Sequence, residues 1–252
     1  MTDAPPPRFL ARPDGLRLAY RFTPGDGPTI VFLPGYMSDM AGSKATALFD
    51  WAVARARACL LLDYAGNGAS EGAFVDGTLT SWRDDALFLI DSVTQGPLVV
   101  VGSSMGGWIA LLVAIARAER MAGLVGIAAA PDFTDWGFTD AQKARLRADG
   151  RIEEPSDYGD QPYVTTLAFW ESGQASLLLG TAMPIDCPVR LLQGQQDADV
   201  PWETALGIAA AVRSSDVQTL LIKDGDHRLS RDADIARLIA TVAALVQPPE
   251  PA

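Results

Sequence analysis

A chain of 252 residues that is 48% hydrophobic and 20% charged has the composition of one large globular domain or two small ones, not of a disordered protein. Its net charge of −11 argues against a nucleic-acid partner, which needs a basic surface, and against electrostatic docking on anionic lipid. No apolar stretch approaches the roughly 18 residues of a membrane span, and the first residues, Met-Thr-Asp-Ala-Pro-Pro-Pro-Arg, lack the basic-then-apolar pattern of a secretory signal. A cytoplasmic protein without stable membrane insertion is therefore expected. Cys59 and Cys187 lie in apolar surroundings and form neither a disulfide framework nor a metal-ligand spacing, so both are expected to be inert thiols.

In chain order, residues 8–22 read as paired strands turning at Pro13-Asp14-Gly15. Apolar strands follow at 29–33, 58–63, 97–102 and 124–129, separated by helices predicted at 43–57, 79–94 and from Ser104 to about 118. Short, continuously apolar strands alternating with helices imply a parallel sheet buried on both faces. Such sheets place their ligand crevice at the carboxyl ends of the strands. The rhythm breaks over residues 131–183, rich in charge and in aromatic side chains: Phe133, Trp136, Phe138, Tyr158, Tyr163, Phe169 and Trp170. It resumes with strands at 189–193 and 217–222 and helices at 202–212 and 232–246. The fold class is thus α/β, a mostly parallel sheet of about eight strands flanked by helices. Residues 1–130 and 184–252 form its core, and 131–183 a small helical cap over the crevice.

Gly102-Ser103-Ser104-Met105-Gly106 contains Gly-x-Ser-x-Gly between an apolar strand and a helix, the setting of a nucleophile elbow. Ser104 occupies the motif position, with Ser103 one place early. A serine hydroxyl is a poor nucleophile at neutral pH and needs an adjacent base, most often an imidazole. The chain has one histidine, His227, in the loop after the last strand. Turnover is therefore expected to rise with pH as that single imidazole loses its proton.

The acid that orients the imidazole should follow a later strand, in the chain order Ser, acid, His. Asp197, three residues past Gly194 and three before Val200-Pro201, has the better position. Asp199 is the second candidate, with a helix N-cap or loop role as its alternative, and Asp132 the third. Donors for an oxyanion are expected from the backbone N–H groups of Met105 and of Tyr36, the latter in the loop Leu33-Pro-Gly-Tyr-Met37.

These features together resemble the α/β-hydrolase superfamily, and more closely the family of α/β-hydrolase domain-containing protein ten. The similarity runs through Phe32-Leu-Pro-Gly-Tyr-Met-Ser-Asp-Met-Ala-Gly-Ser-Lys-Ala45, Asp63-Tyr-Ala-Gly-Asn-Gly-Ala-Ser-Glu-Gly72, Ser81-Trp-Arg83 and the elbow through Trp108. It continues in Cys187-Pro-Val-Arg-Leu-Leu-Gln-Gly194, Asp197 with Val200-Pro-Trp202, and Asp226-His-Arg228. The resemblance covers about residues 28–245 and is weakest in the cap. It implies a serine thioesterase that removes palmitoyl groups from protein cysteines, with carboxylester and acyl-glucuronide hydrolysis also linked to the family. It places the triad on Ser104, Asp197 and His227.

The expected substrate is a small-molecule or protein-bound hydrophobic acyl ester or thioester, entering beneath the aromatic cap. A peptidase, a perhydrolase and a non-catalytic binding module are the other readings of the same residues. No dinucleotide-binding or phosphate-loop motif is present, and a single histidine without clustered cysteines makes a catalytic zinc site improbable, so neither cofactor nor metal is expected.

Overall fold

The structure, a computed structural model, describes residues 5–155 and 162–246. It begins with an antiparallel pair, β1 (Arg8–Ala11) and β2 (Arg17–Thr23), joined by a turn in which Gly15 has a φ of 90°. Then come β3 (Asp26–Leu33), α1 (Ser43–Ala54), β4 (Arg57–Leu62), α2 (Leu79–Val93), β5 (Leu98–Ser103), α3 (Met105–Ala116) and β6 (Met121–Ile127). A single 3₁₀ turn over Phe74–Asp76 precedes α2. The start of α2 is fixed by a reciprocal capping box between Thr78 and Ser81, which satisfies two of its orphan backbone donors.

After β6 the chain makes α4 (Phe133–Trp136), α5 (Asp140–Asp149), β7 (Arg151–Glu154), β8 (Tyr163–Thr166) and α6 (Leu167–Gln174). It closes with β9 (Val189–Gly194), α7 (Glu203–Ala211), β10 (Val217–Ile222) and α8 (Asp232–Val246). The inserted segment is not purely helical, as the sequence led us to expect. β7 and β8 pair antiparallel as a separate two-stranded sheet, entered through Gly150, whose φ of 76° ends α5 in the left-handed region. Tyr158 lies outside the described residues.

The main sheet has eight strands in the order β1-β2-β4-β3-β5-β6-β9-β10. β1 and β2 run antiparallel and the pairs from β4 through β10 are parallel. Alternate residues of each central strand face opposite sides. Val31, Leu33, Leu60, Leu62, Leu98 and Val100 pack against α2, α3 and α7. Ile30, Phe32, Cys59, Leu61, Val99 and Val101 pack against α1 and α8. Both faces are covered, which is why these strands read as unbroken apolar runs. The register pairs Leu33 with Gly102, Ser103 with Ile127, and Gly194 with Ile222. The loops after β3, β5, β9 and β10 therefore leave one edge of the sheet together. Among the described residues no helix is long and apolar enough to cross a membrane.

Candidate active site

The turn from β5 into α3 is tight enough that only glycine fits on either side of the serine. A Cβ on Gly102 would lie 2.2 Å from the Gly106 carbonyl oxygen, and one on Gly106 would lie 2.1 Å from that of Leu33. Ser104 itself has φ 55° and ψ −122°. For a non-glycine residue this is a strained conformation, costing on the order of 1–3 kcal/mol. Neighbouring bonds hold it in place: Ser104 N–H donates to the Ile127 carbonyl at 2.9 Å, while Gly107 and Ala130 N–H donate to the Ser104 carbonyl at 2.8 and 3.1 Å. Ser104 is thus lifted out of the sheet while Ser103 stays buried.

His227 reaches Ser104 from the loop after β10, with Nε2 3.1 Å from Ser104 Oγ. On its other side Nδ1 lies 2.9 Å from Asp197 Oδ2. The carboxylate can only accept, so Nδ1 carries the proton and Nε2 is left to accept from the serine hydroxyl. Asp197 is fully buried at its side chain. Its Oδ1 accepts from the backbone N–H groups of Asp199 and Val200, both at 2.9 Å, and its Oδ2 also accepts from Gln193 Nε2 at 2.9 Å. Burial alone would raise the pKa of this carboxyl, but the His227 contact and the two backbone donors outweigh it and hold Asp197 below its usual range.

Of the three acids considered from sequence, Asp197 makes the Nδ1 contact. Asp199 is a loop residue, and Trp202 takes the N-cap position of α7. Asp132 turns to the inserted segment: its Oδ1 and Oδ2 accept from Leu178 and Leu179 N–H, each at 2.8 Å. Among the described residues the one group with metal-ligand spacing is Asp197, Asp199 and His227. Both imidazole nitrogens there already face Asp197 and Ser104. Cys59 is buried and its thiol is pushed up by burial; Cys187 is half-buried and pushed up to about 11. Neither has thiolate character near neutral pH.

The loop after β3 lies against the nucleophile, since a Cβ on Gly35 would sit 3.3 Å from Ser104 Cβ. Within it, the backbone N–H of Tyr36 has no acceptor among the described residues, and neither has that of Met105 at the start of α3. Two backbone donors beside Ser104 without acceptors among the described residues suit a developing negative charge. The far end of this loop is held by the buried Asp63, whose Oδ1 accepts from Met40 N–H at 2.7 Å and Oδ2 from Ala69 N–H at 2.9 Å. Tyr36 itself is fixed through its side chain. The hydroxyl donates to the Val164 carbonyl in β8 at 2.5 Å, and the ring packs on Phe74, Tyr163 and Phe169.

A cavity of about 270 Å³ opens beside Ser104 and His227. The sequence led us to expect a hydrophobic acyl substrate entering beneath the aromatic segment. Instead Phe133 and Phe169 pack into each other and into Tyr36 and Trp82. Of the aromatic residues in that segment, Tyr163 lines the cavity, whose wall is otherwise mixed: Ser38, Asp39, Ser43, Lys44, Arg228 and Ser230 stand beside Phe32, Pro34, Tyr36, Met37 and Ala45. Sequence reasoning did not single out Gln193 or Lys44. Gln193 is a polar residue directly after the apolar Leu191-Leu192 of β9, four positions before Asp197, and that interruption was the available signal. Lys44 donates from Nζ to the Arg228 carbonyl, bridging α1 to the histidine loop.

Residues 30–249 match the sequence model of the alpha/beta hydrolase family. The chain is 39% identical over 242 residues to the mitochondrial palmitoyl-protein thioesterase ABHD10 of Homo sapiens, covering 94% of this chain and 79% of that protein. Among solved structures, a putative hydrolase from Agrobacterium vitis S4 superposes with a TM-score of 0.90 at 36% identity, covering 96% of this chain and 100% of the other. Mouse alpha/beta hydrolase domain-containing protein 10 superposes with a TM-score of 0.89 at 37% identity, covering 95% and 98%.

Proposed function

Since the chain belongs to the alpha/beta hydrolase family, close to the thioesterase ABHD10, we propose that it cleaves acyl thioesters or carboxylic esters through an acyl-enzyme on Ser104. The observation that carries this reading is the continuous hydrogen-bonded chain from Ser104 Oγ through His227 to Asp197. Ser104 Oγ attacks the acyl carbonyl carbon and its proton passes to His227 Nε2. The carbonyl oxygen becomes an oxyanion held by the N–H groups of Tyr36 and Met105. Collapse of this intermediate expels the thiolate or alkoxide, which takes the proton from Nε2. Water then attacks the acyl-enzyme with His227 again as base, and the free acid leaves. Asp197 holds the imidazole in the working tautomer and stabilises its charged form.

In this reading residues 131–183 act as a cap on a core of 1–130 and 184–252, supported by the contact of Tyr36 with β8. Protein S-depalmitoylation is the narrower assignment, supported by the 39% identity to a palmitoyl-protein thioesterase. Esterase action on small molecules is the second reading. It is favoured by the small size of the cavity, whose 270 Å³ falls just below the range of about 300–1,000 Å³ usual for ligand sites. A fluorophosphonate probe should label the wild-type protein and not Ser104→Ala, and labelling that survives the substitution would refute the nucleophile. Rates on a series of 4-nitrophenyl esters and acyl thioesters of increasing chain length then separate the two readings, since a preference for short acyl chains counts against depalmitoylation.

A further inference from the structure

We propose that Lys44 forms an anion subsite beside the nucleophile that binds a carboxylate carried by the substrate. This rests on the hydrolase reading above and specifies the class of ester or thioester that the site accepts.

Lys44 is the second residue of α1 and lines the cavity that holds Ser104 and His227. A cation in the first turn of a helix opposes the helix dipole, and partial burial of Lys44 adds a desolvation cost that an anion would offset. Its ammonium donates to a backbone carbonyl, that of Arg228, and no carboxylate pairs with it among the described residues. Each acid near it is engaged elsewhere. Asp234 pairs with Arg231 at 2.7 Å and Arg237 at 3.1 Å, and Asp226 accepts from Leu229 N–H at 2.9 Å. Asp39, on the same cavity wall, accepts from Ala41 N–H at 2.8 Å.

The second cation, Arg228, lies on the same wall and its charge acts against that of Lys44. The chain carries 31 acidic residues against 20 Lys and Arg, whereas this cavity wall holds two cations, Lys44 and Arg228, and one carboxylate, Asp39. The hydroxyls of Ser38, Ser43 and Ser230 line the same space and offer further donors. At about 270 Å³ the cavity suits a short carboxylate-bearing group.

Burial and the charge of Arg228 push Lys44 down to about 8, against the opposing pull of Asp226 and Asp234. The groups that face it are Arg228 and Asp226 from the histidine loop, Asp234 from α8, and Asp39 and His227 across the cavity. Anion binding should therefore weaken as pH rises through about 8 and Lys44 loses its charge.

The test measures binding without turnover. Monomethyl glutarate, with one carboxylate, and neutral dimethyl glutarate are titrated into Ser104→Ala by calorimetry. A charge-assisted contact should favour the monoanion by about tenfold or more. Adding Lys44→Met should bring the ratio of affinities close to one, Lys44→Arg should keep it, and raising the pH above 8 should erode it in the parent. Equal affinity for the two ligands, or a preference that Lys44→Met leaves in place, overturns the subsite. If the methionine variant does not fold, Lys44→Gln and the pH series carry the same decision. Hydrolysis of 4-nitrophenyl butyrate by the protein with Ser104 intact reports the acyl-enzyme chemistry separately, so failure of that reading is distinguishable from failure of the subsite.

Discussion

Four donors reach the two oxygens of Asp197, and all of them come from its own loop, from β9 or from His227. An amide at this position must present an NH₂ group to at least one of those donors, and it favours the tautomer of His227 that cannot accept from Ser104. Asp197→Asn should therefore lower kcat on a 4-nitrophenyl ester by about 10⁴ while the fold persists; a loss of less than tenfold would move the acid elsewhere. His227→Ala should lose about as much or more, since the chain has no second imidazole to substitute. The depressed carboxyl also links stability to pH. A carboxyl whose folded value lies below its unfolded one stabilises the protein above about pH 4, and that contribution disappears as pH falls through the folded value. The stability gap between wild type and Asp197→Asn should thus narrow in acid, as chemical denaturation at pH 7 and pH 3 would show. Ser104 and His227 were legible in the sequence because one sits in a local motif and the other is unique. The parts played by Gln193 and Lys44 were not, because they depend on contacts made only after folding; Lys44 meets its partner 184 positions away.

At the level of elements, the loop after β3 is the piece on which the inserted segment acts most directly. In the proposed reaction Tyr36 supplies a backbone N–H to the oxyanion, and its side-chain hydroxyl donates to the Val164 carbonyl of β8, so one residue would join the oxyanion donors to the insertion. Tyr36→Phe keeps the backbone donor and the ring packing and removes the tether. Losing a hydrogen bond worth about 1 kcal/mol should slow acylation about fivefold if the tether helps hold the donor in place. The rate of fluorophosphonate labelling of Ser104 reads this step, and an unchanged rate would show that the loop is held by Asp63 and packing alone. The long strands were readable from sequence because both of their faces are apolar. β7 and β8 were not, because each spans only four residues, too few for a period to show against the surrounding helices. The predicted end of α1 overshot by three residues for a local reason. Ala56 adopts a φ of 51°, which breaks the helical path and turns the chain straight into β4.

Across the whole molecule, the sheet order brings the ends of β3, β5, β9 and β10 to one edge, and the two ends of the insertion beside it are joined through the carboxylate of Asp132. Asp132 leaves β6 in the left-handed region, with φ 61°, which an aspartate tolerates better than most residues. Both its oxygens then receive the N–H groups of Leu178 and Leu179, near the point where the chain returns toward β9. The start and end of the excursion are thus fastened 46 residues apart in sequence. Burial raises the Asp132 pKa against the pull of these two donors. In an acid with a raised folded value, ionisation is harder in the native protein than in the unfolded chain, so this group's contribution to stability falls as pH rises through its titration. The clasp is nevertheless matched only by two acceptors. Asp132→Asn relieves the buried charge but turns an NH₂ toward one of the two N–H groups, leaving a buried donor unmet at a cost of about 1–3 kcal/mol. We expect the variant to melt several degrees lower, at about 2–4 °C per kcal/mol for a chain of this size. Limited proteolysis should open the segment 131–183 before the sheet. A melting temperature equal to that of the wild type, together with unchanged cleavage of this segment, would show that aromatic packing around Tyr36 and Phe169 holds the insertion without the clasp.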